Sequence, residues 1–247
     1  MKRILLICFL YMATLQVAMP FTGDHSGEGT LTVLFDHYVG DRVLQFDTVL
    51  YKNELGQSFT ITKFKYYIGN IKLEKADGGK IPYSGYYLVN EEEPRSKMIS
   101  LGHVPAGEYT GIEFTVGVDS IDNCSGAQSG ALDPVNAMFW AWNTGYIFLK
   151  LEGKSPESKS PGHIFEFHIG GYKEPNNCIR TVSLSFGQSI SIRPGTNKEL
   201  HIKADVSEIF KTPTAIDFSK LSSVTDFHNA TTIADNYMDM FSVVGTK

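Results

Sequence analysis

The chain has 247 residues, a formal net charge of −5 and 12% aromatic residues. Apolar and aromatic residues are spread along its length, which argues for a packed core and against disorder. No block of basic residues exists, so nucleic acid is not an expected partner.

Met1-Lys2-Arg3 precedes a largely apolar stretch that ends near Val17. This is a charged n-region and an h-region too short to span a bilayer comfortably, so residues 1–22 are assigned to a signal peptide. Gln16-Val17-Ala18-Met19-Pro20 offers a small residue but no clean A-x-A, and cleavage is expected at about residues 18–27. Leu5-Leu6-Ile7-Cys8 is a poor lipobox, because a bulky Ile precedes the cysteine. No later segment is long and apolar enough for a membrane helix. The mature chain, 23–247, is expected to be one soluble domain in the periplasm, secreted or at the cell surface. Export removes Cys8 and leaves Cys124 and Cys178, which in an oxidising compartment are expected to form a disulfide.

Strand signals follow in order. Residues 30–37 alternate, with Leu31, Val33, Phe35 and His37 on one face. Residues 63–73 alternate and meet a turn at Asp77-Gly78-Gly79. Further strands read at 86–90, 98–101 and 108–118. The segment 117–136 is a long loop carrying Asp119, Asp122, Asn123, Cys124, Asp133 and Asn136. Its oxygens suit Ca²⁺, but the spacing matches no calcium loop, and a turn-rich connection is the better reading. It leads into Met138-Phe139-Trp140-Ala141-Trp142-Asn143-Thr144-Gly145-Tyr146, which holds both tryptophans of the chain. In an extended strand Met138, Trp140 and Trp142 share a face. Such a pair ordinarily packs in a core. Strands at 146–152, 164–169, 179–186, 189–192 and 199–206 come next. Pro105-Ala106-Gly107, the segment 154–162, Glu174-Pro175-Asn176-Asn177 and Pro194-Gly195 supply turns. Residues 231–241 place Ile233, Tyr237 and Met240 or Phe241 at helical spacing. The expected fold is all-β: an antiparallel β-sandwich with Greek-key-like connections and a short C-terminal helix.

The seven histidines form no HxH or HxxxH pair. His37 continues the apolar face of its strand, where a histidine is ordinarily a satisfied core residue. His168 shares a face with Ile164 and Glu166 and stands just before Gly170-Gly171. His201 reads as solvated, His103 and His163 as turn residues, and His25 lies near the start. No G-x-S-x-G, HExxH or opposed carboxylate pair is evident, Glu152 and Glu166 being the nearest carboxylates, so an enzyme is not expected.

Several runs together resemble a family. They are Val33-Leu34-Phe35-Asp36-His37-Tyr38-Val39, Lys65-Tyr66-Tyr67-Ile68-Gly69-Asn70-Ile71, Leu132-Asp133-Pro134 and the tryptophan run. Lys150-Leu151-Glu152-Gly153, Phe167-His168-Ile169-Gly170-Gly171 and Ile233-Ala234-Asp235-Asn236-Tyr237 complete the set. In this order they resemble the MbnP-like copper-binding proteins, named for a methanobactin-associated periplasmic protein. The resemblance covers essentially the whole mature chain, and M-x-W-x-W-x-x-G-Y with F-H-x-G-G is its specific part. It implies an exported β-sandwich that binds one copper ion and acts in copper acquisition or handling. The implied site uses histidines and a tryptophan oxidised to kynurenine by a di-haem partner, an oxidase of the MauG-like or cytochrome c peroxidase-like kind. Carried over, the ligands are His37, His168 and Trp140, with Trp142 as the alternative modified residue and His228 as an option for a third ligand. Imidazole suits copper, and kynurenine would offer an aniline nitrogen and a ketone oxygen, whereas indole is a donor only. The alternative is a carbohydrate- or protein-binding sandwich that uses Trp140, Trp142 and Tyr146 as a stacking surface. Convergence of His37, His168 and Trp140 would favour copper.

Overall fold

The computed structural model describes residues 27–140 and 145–247. The residues assigned to the signal peptide, and Trp142, lie outside them. Strand β1 (Glu28–Val39) alternates between buried and half-buried positions along its whole length. That period of two is what an extended chain produces when one face meets a core. There follow β2 (Arg42–Val43), β3 (Tyr51–Lys52), β4 (Ser58–Lys75), β5 (Lys80–Asn90), β6 (Met98–Pro105) and β7 (Gly107–Val116). A short helix α1 (Ser120–Cys124) opens an excursion that contains the two-residue strands β8 (Phe139–Trp140) and β9 (Gly145–Tyr146). The chain continues as β10 (Leu149–Lys154), β11 (Ile164–Ile169), β12 (Arg180–Ile192), β13 (Asn197–Asp205), β14 (Ser223–Val224), α2 (Ala230–Tyr237) and β15 (Phe241–Thr246).

Two sheets form the sandwich. One has the order β15-β13-β1-β2, with β6 also on β1. The other has the order β12-β7-β4-β10-β11-β14, with β3 and β5 also on β4. The 18-residue β4 is the spine of this second sheet: β10 pairs with its first part and β7 with its second. The chain passes back and forth between sheets, so β1 and β13 become neighbours only after most of the second sheet is complete. The antiparallel sandwich expected from alternation is the fold, and β1–β13 and β11–β14 are parallel exceptions.

Aromatic rings join the layers. Phe35 of β1 meets Tyr66, Phe114 and Phe241 edge to face at 6.1, 5.8 and 6.0 Å. That geometry sets the positive ring edge against a negative face. A second cluster gathers Phe59, Phe165, Phe210 and Phe218. The expected C-terminal helix is present but shorter. It ends at Tyr237, a 3₁₀ turn covers Met238–Met240, and Phe241 begins a strand that pairs with β13. Edge pairing to Ala204 wins over continued helical spacing at that point.

The expected Cys124–Cys178 bridge is not formed. Both are free thiols, Cys124 exposed and Cys178 buried. Cys124 Sγ lies 3.2 Å from the Tyr172 hydroxyl, while Cys178 Sγ turns toward the Asn176 carbonyl at 3.6 Å. Burial pushes the Cys178 thiol up to about 12, which keeps it protonated and unreactive. Among the described residues no helix is long and apolar enough to cross a membrane.

Candidate functional site

His37 points into the space between the sheets. Its ring lies 4.8 Å from Phe64 and 5.5 Å from Tyr66, and the residue is 3% exposed. Nδ1 is 2.7 Å from Glu91 Oε2, and Nε2 is 2.9 Å from the Tyr66 hydroxyl. The consistent assignment is a neutral ring whose Nδ1–H donates to Glu91 while the Tyr66 O–H donates to Nε2. Lys97 donates to the same Glu91 oxygen at 2.7 Å. Burial lowers the His37 pKa below its ordinary 6.5, and Glu91 opposes this only in part. Burial alone would raise Glu91, but the bonds from His37 and Lys97 outweigh it and hold the carboxyl low. This is a satisfied buried network, and it leaves His37 no nitrogen for a metal.

The network has a measurable pH signature. A histidine whose folded pKa is depressed binds more protons when unfolded, so its stabilisation is present above about pH 6.5 and is lost as the pH falls through the folded value. Glu91, also depressed, extends the loss further into acid. Unfolding midpoints measured across pH should therefore fall below about 6.5. In His37→Gln, whose amide can bond to both partners without titrating, the fall should begin only at lower pH. An unchanged profile in that variant would show that other groups control acid stability.

His168 occupies the opposite surface. In register, Leu151 of β10 lies between Phe64 of β4 and Phe167 of β11, and all three are buried toward the inter-sheet core. Lys65, Lys150 and His168 form the adjacent row, so they point to the outer face. His37 is on the Phe64 side. The sheet backbone therefore separates His37 from His168, and one ion with metal–nitrogen bonds of about 2 Å cannot hold both. The three residues drawn from the resemblance do not all converge, since His37 and His168 lie on opposite faces of the larger sheet.

On the outer face a different constellation assembles. His168 Nε2 lies 2.8 Å from Glu152 Oε1. Glu152 Oε2 also accepts from Lys63 at 3.3 Å. The His168 hydrogen bond, against the opposing effect of burial and with help from Lys63, pulls the Glu152 carboxyl down to about 2. Lys150, 8% exposed, donates from Nζ to the Ala137 carbonyl at 2.5 Å. Burial lowers its pKa, Glu152 acting in the other direction. Ala137 stands three residues before Trp140, so Lys150 ties the tryptophan segment to the sheet.

Trp140 is 5% exposed and meets Phe227 edge-on at 5.9 Å. Its ring rests on Gly170, two residues past His168: a Cβ there would lie 2.8 Å from Trp140 Cζ3. Tyr67 donates to the Ala131 carbonyl at 2.9 Å and Tyr146 to the Leu132 carbonyl at 2.8 Å, holding the excursion on this face. Its polar residues serve the backbone. Asp119 caps α1, Asp133 caps the 3₁₀ turn Pro134–Asn136, and Asn123 accepts from the Tyr146 amide at 3.0 Å. The turn-rich reading of this loop thus describes it, and a calcium role finds no support. Trp140 and Tyr146 are both buried, which removes two of the three rings of the supposed sugar platform. His228 is exposed and directly follows Phe227.

The residues that sequence reasoning undervalued are Glu152 and Lys150. Both stood in the Lys150-Leu151-Glu152-Gly153 run, and their i, i+2 spacing was the available signal. As to copper, the described residues contain no group of three or more His, Cys, Asp or Glu side chains able to hold a metal ion. The donor types fit: an imidazole with one nitrogen bonded to a carboxylate and the other without a partner among the described residues is a common metal-ligand arrangement.

The MbnP family model matches residues 28–229. Among solved structures, MbnP from Methylosinus trichosporium aligns with a TM-score of 0.51 at 15% identity, over 77% of this chain and 79% of that one. At that identity the likeness concerns the fold. No curated protein matches the chain. The family match spans β1 through the approach to α2, and with it His37, Trp140, His168 and His228; the chain belongs to the MbnP family.

Proposed function

We propose that this protein is an exported copper-binding protein that acts in copper acquisition or handling and is not an enzyme. Its site lies on the outer face of the larger sheet and uses His168 and the tryptophan segment. The observation that carries this reading is the meeting of Trp140 and the His168 strand end at Gly170, beside a histidine with one nitrogen that has no partner among the described residues. Copper, when bound, takes lone pairs from imidazole and from a second strong donor. Unmodified indole offers no such lone pair. Oxidation of Trp140, or of Trp142, to kynurenine would supply it, and the di-haem oxidase is the partner expected to perform that oxidation. Burial of Trp140 supports a preformed, rigid position for the donor. His228 is the nearest further imidazole in sequence to the Trp140 contact residue Phe227.

The test is intact mass, peptide mapping and metal analysis of protein purified from its native host. The expected result is one copper per chain and a tryptophan of the 138–146 run that has lost a carbon and gained an oxygen. Copper at the site with both tryptophans unmodified would remove kynurenine from the account. Native protein that competes for no copper against a chromophoric chelator would remove copper.

A further inference from the structure

His168 and Trp140 reach the outer face from different segments, and β10 touches both. Lys150 and Glu152 alternate outward on that strand; one bonds the carbonyl at Ala137, the other bonds His168. We infer that Glu152 is a positioning residue: its carboxylate fixes His168 as the Nε2–H tautomer and so selects Nδ1 as the nitrogen that binds copper. The inference rests on the reading of His168 as a ligand and specifies the atom.

The argument is one of donors and acceptors. An ionised carboxylate can only accept, so the 2.8 Å contact requires the proton on Nε2. In a neutral imidazole the lone pair is then on Nδ1. Lys63, on the other oxygen of Glu152, favours the ionised form and restrains the carboxylate in place. The ring is thereby held at its tip, while Nδ1, the nitrogen nearer Cβ, has no partner among the described residues. Nδ1 is the ring nitrogen nearer the backbone of β11, so this tautomer would present copper with the inner nitrogen and not with the tip of the side chain. Fixing a ligand's orientation through its second nitrogen raises its basicity and removes the need to order it on binding.

The experiment is ¹⁵N NMR on histidine-labelled protein. In the metal-free protein at alkaline pH, His168 should show a protonated Nε2 and an unprotonated Nδ1. Addition of Cu(I) should shift the Nδ1 resonance and leave Nε2–H in place. Glu152→Leu should release the Nε2 proton to solvent exchange, mix the tautomers and weaken Cu(I) binding by about 10- to 100-fold. Glu152→Asp, which keeps the acceptor, should retain more of the affinity than Glu152→Leu. A protonated Nδ1 in the metal-free protein, or a copper shift on Nε2, would overturn the inference without any variant having to fold. Cu(I) that disturbs neither nitrogen while the Nε2–H tautomer is intact would instead sink the copper reading of His168, and the ligand assignment with it.

Discussion

Alanine at His168 should lower copper affinity by at least about 100-fold, while alanine at His37 should leave it unchanged and reduce stability instead. Loss of a hydrogen-bond partner behind a ligand costs about 10- to 100-fold, so loss of the ligand itself should cost no less. His168 sits outward with side-chain exposure of 16%, so its removal leaves no large internal cavity and the fold should persist. His37 is the reverse case. Its removal would strand the buried Tyr66 hydroxyl and deprive Glu91 of a donor, at a cost of about 1–3 kcal/mol for an unsatisfied buried group. Chelator competition and denaturant midpoints, measured on both variants, read the two effects separately. Equal loss of copper binding in both would mean that the histidines act on one ion, which the intervening sheet forbids in this arrangement.

The contrast between these histidines also marks where the sequence stops being informative. Alternation in β1 placed His37 on the apolar face with Phe35, and there it lies. Alternation in β11 separated Phe165 and Phe167 from Glu166 and His168, and that division is also present. A period of two, however, relates residues only within one strand. Whether an inward residue of one sheet and an outward residue of the other can meet depends on which strands pair and which sheets stack. The motif runs point to the family and the fold, because their described residues fall in strands, turns and helix α2 of the sandwich. They gave the ligand set less well, because order along the chain does not reveal the sheet between two positions. The cysteines failed in a similar way: an even count in an exported chain is a statistical argument, whereas Cys178 faces inward and Cys124 outward. Glu152 was visible only as a residue type until pairing of β10 with β11 brought it within reach of His168.

Gly170 shows why the F-H-x-G-G run is built as it is, and Gly170→Ala is the second substitution with a large expected effect. A Cβ at this position would lie 2.5 Å from the Tyr146 carbonyl oxygen and 2.8 Å from the Trp140 ring. Neither neighbour can yield easily, since one is backbone and the other is wedged against Phe227. Overpacking of this kind costs about 1–3 kcal/mol, and relief requires the tryptophan segment to lift from the sheet. The next glycine is constrained differently: Gly171 has φ of +119°, where side chains are strained, and its Cβ would meet the Asn176 carbonyl oxygen at 2.3 Å. Gly102→Ala is the control, because a Cβ there meets nothing within 4 Å. The expected result is a lowered unfolding midpoint and a red-shifted, more quenchable tryptophan emission in Gly170→Ala, with Gly102→Ala within about 0.5 kcal/mol of the parent. On the proposed function, copper binding should weaken in Gly170→Ala even at temperatures where the protein is fully folded, because the tryptophan segment would no longer be seated against the His168 strand. A Gly170→Ala protein with parental stability, emission and copper affinity would mean that Trp140 does not need its seat on β11, and the site would have to be sought away from that contact.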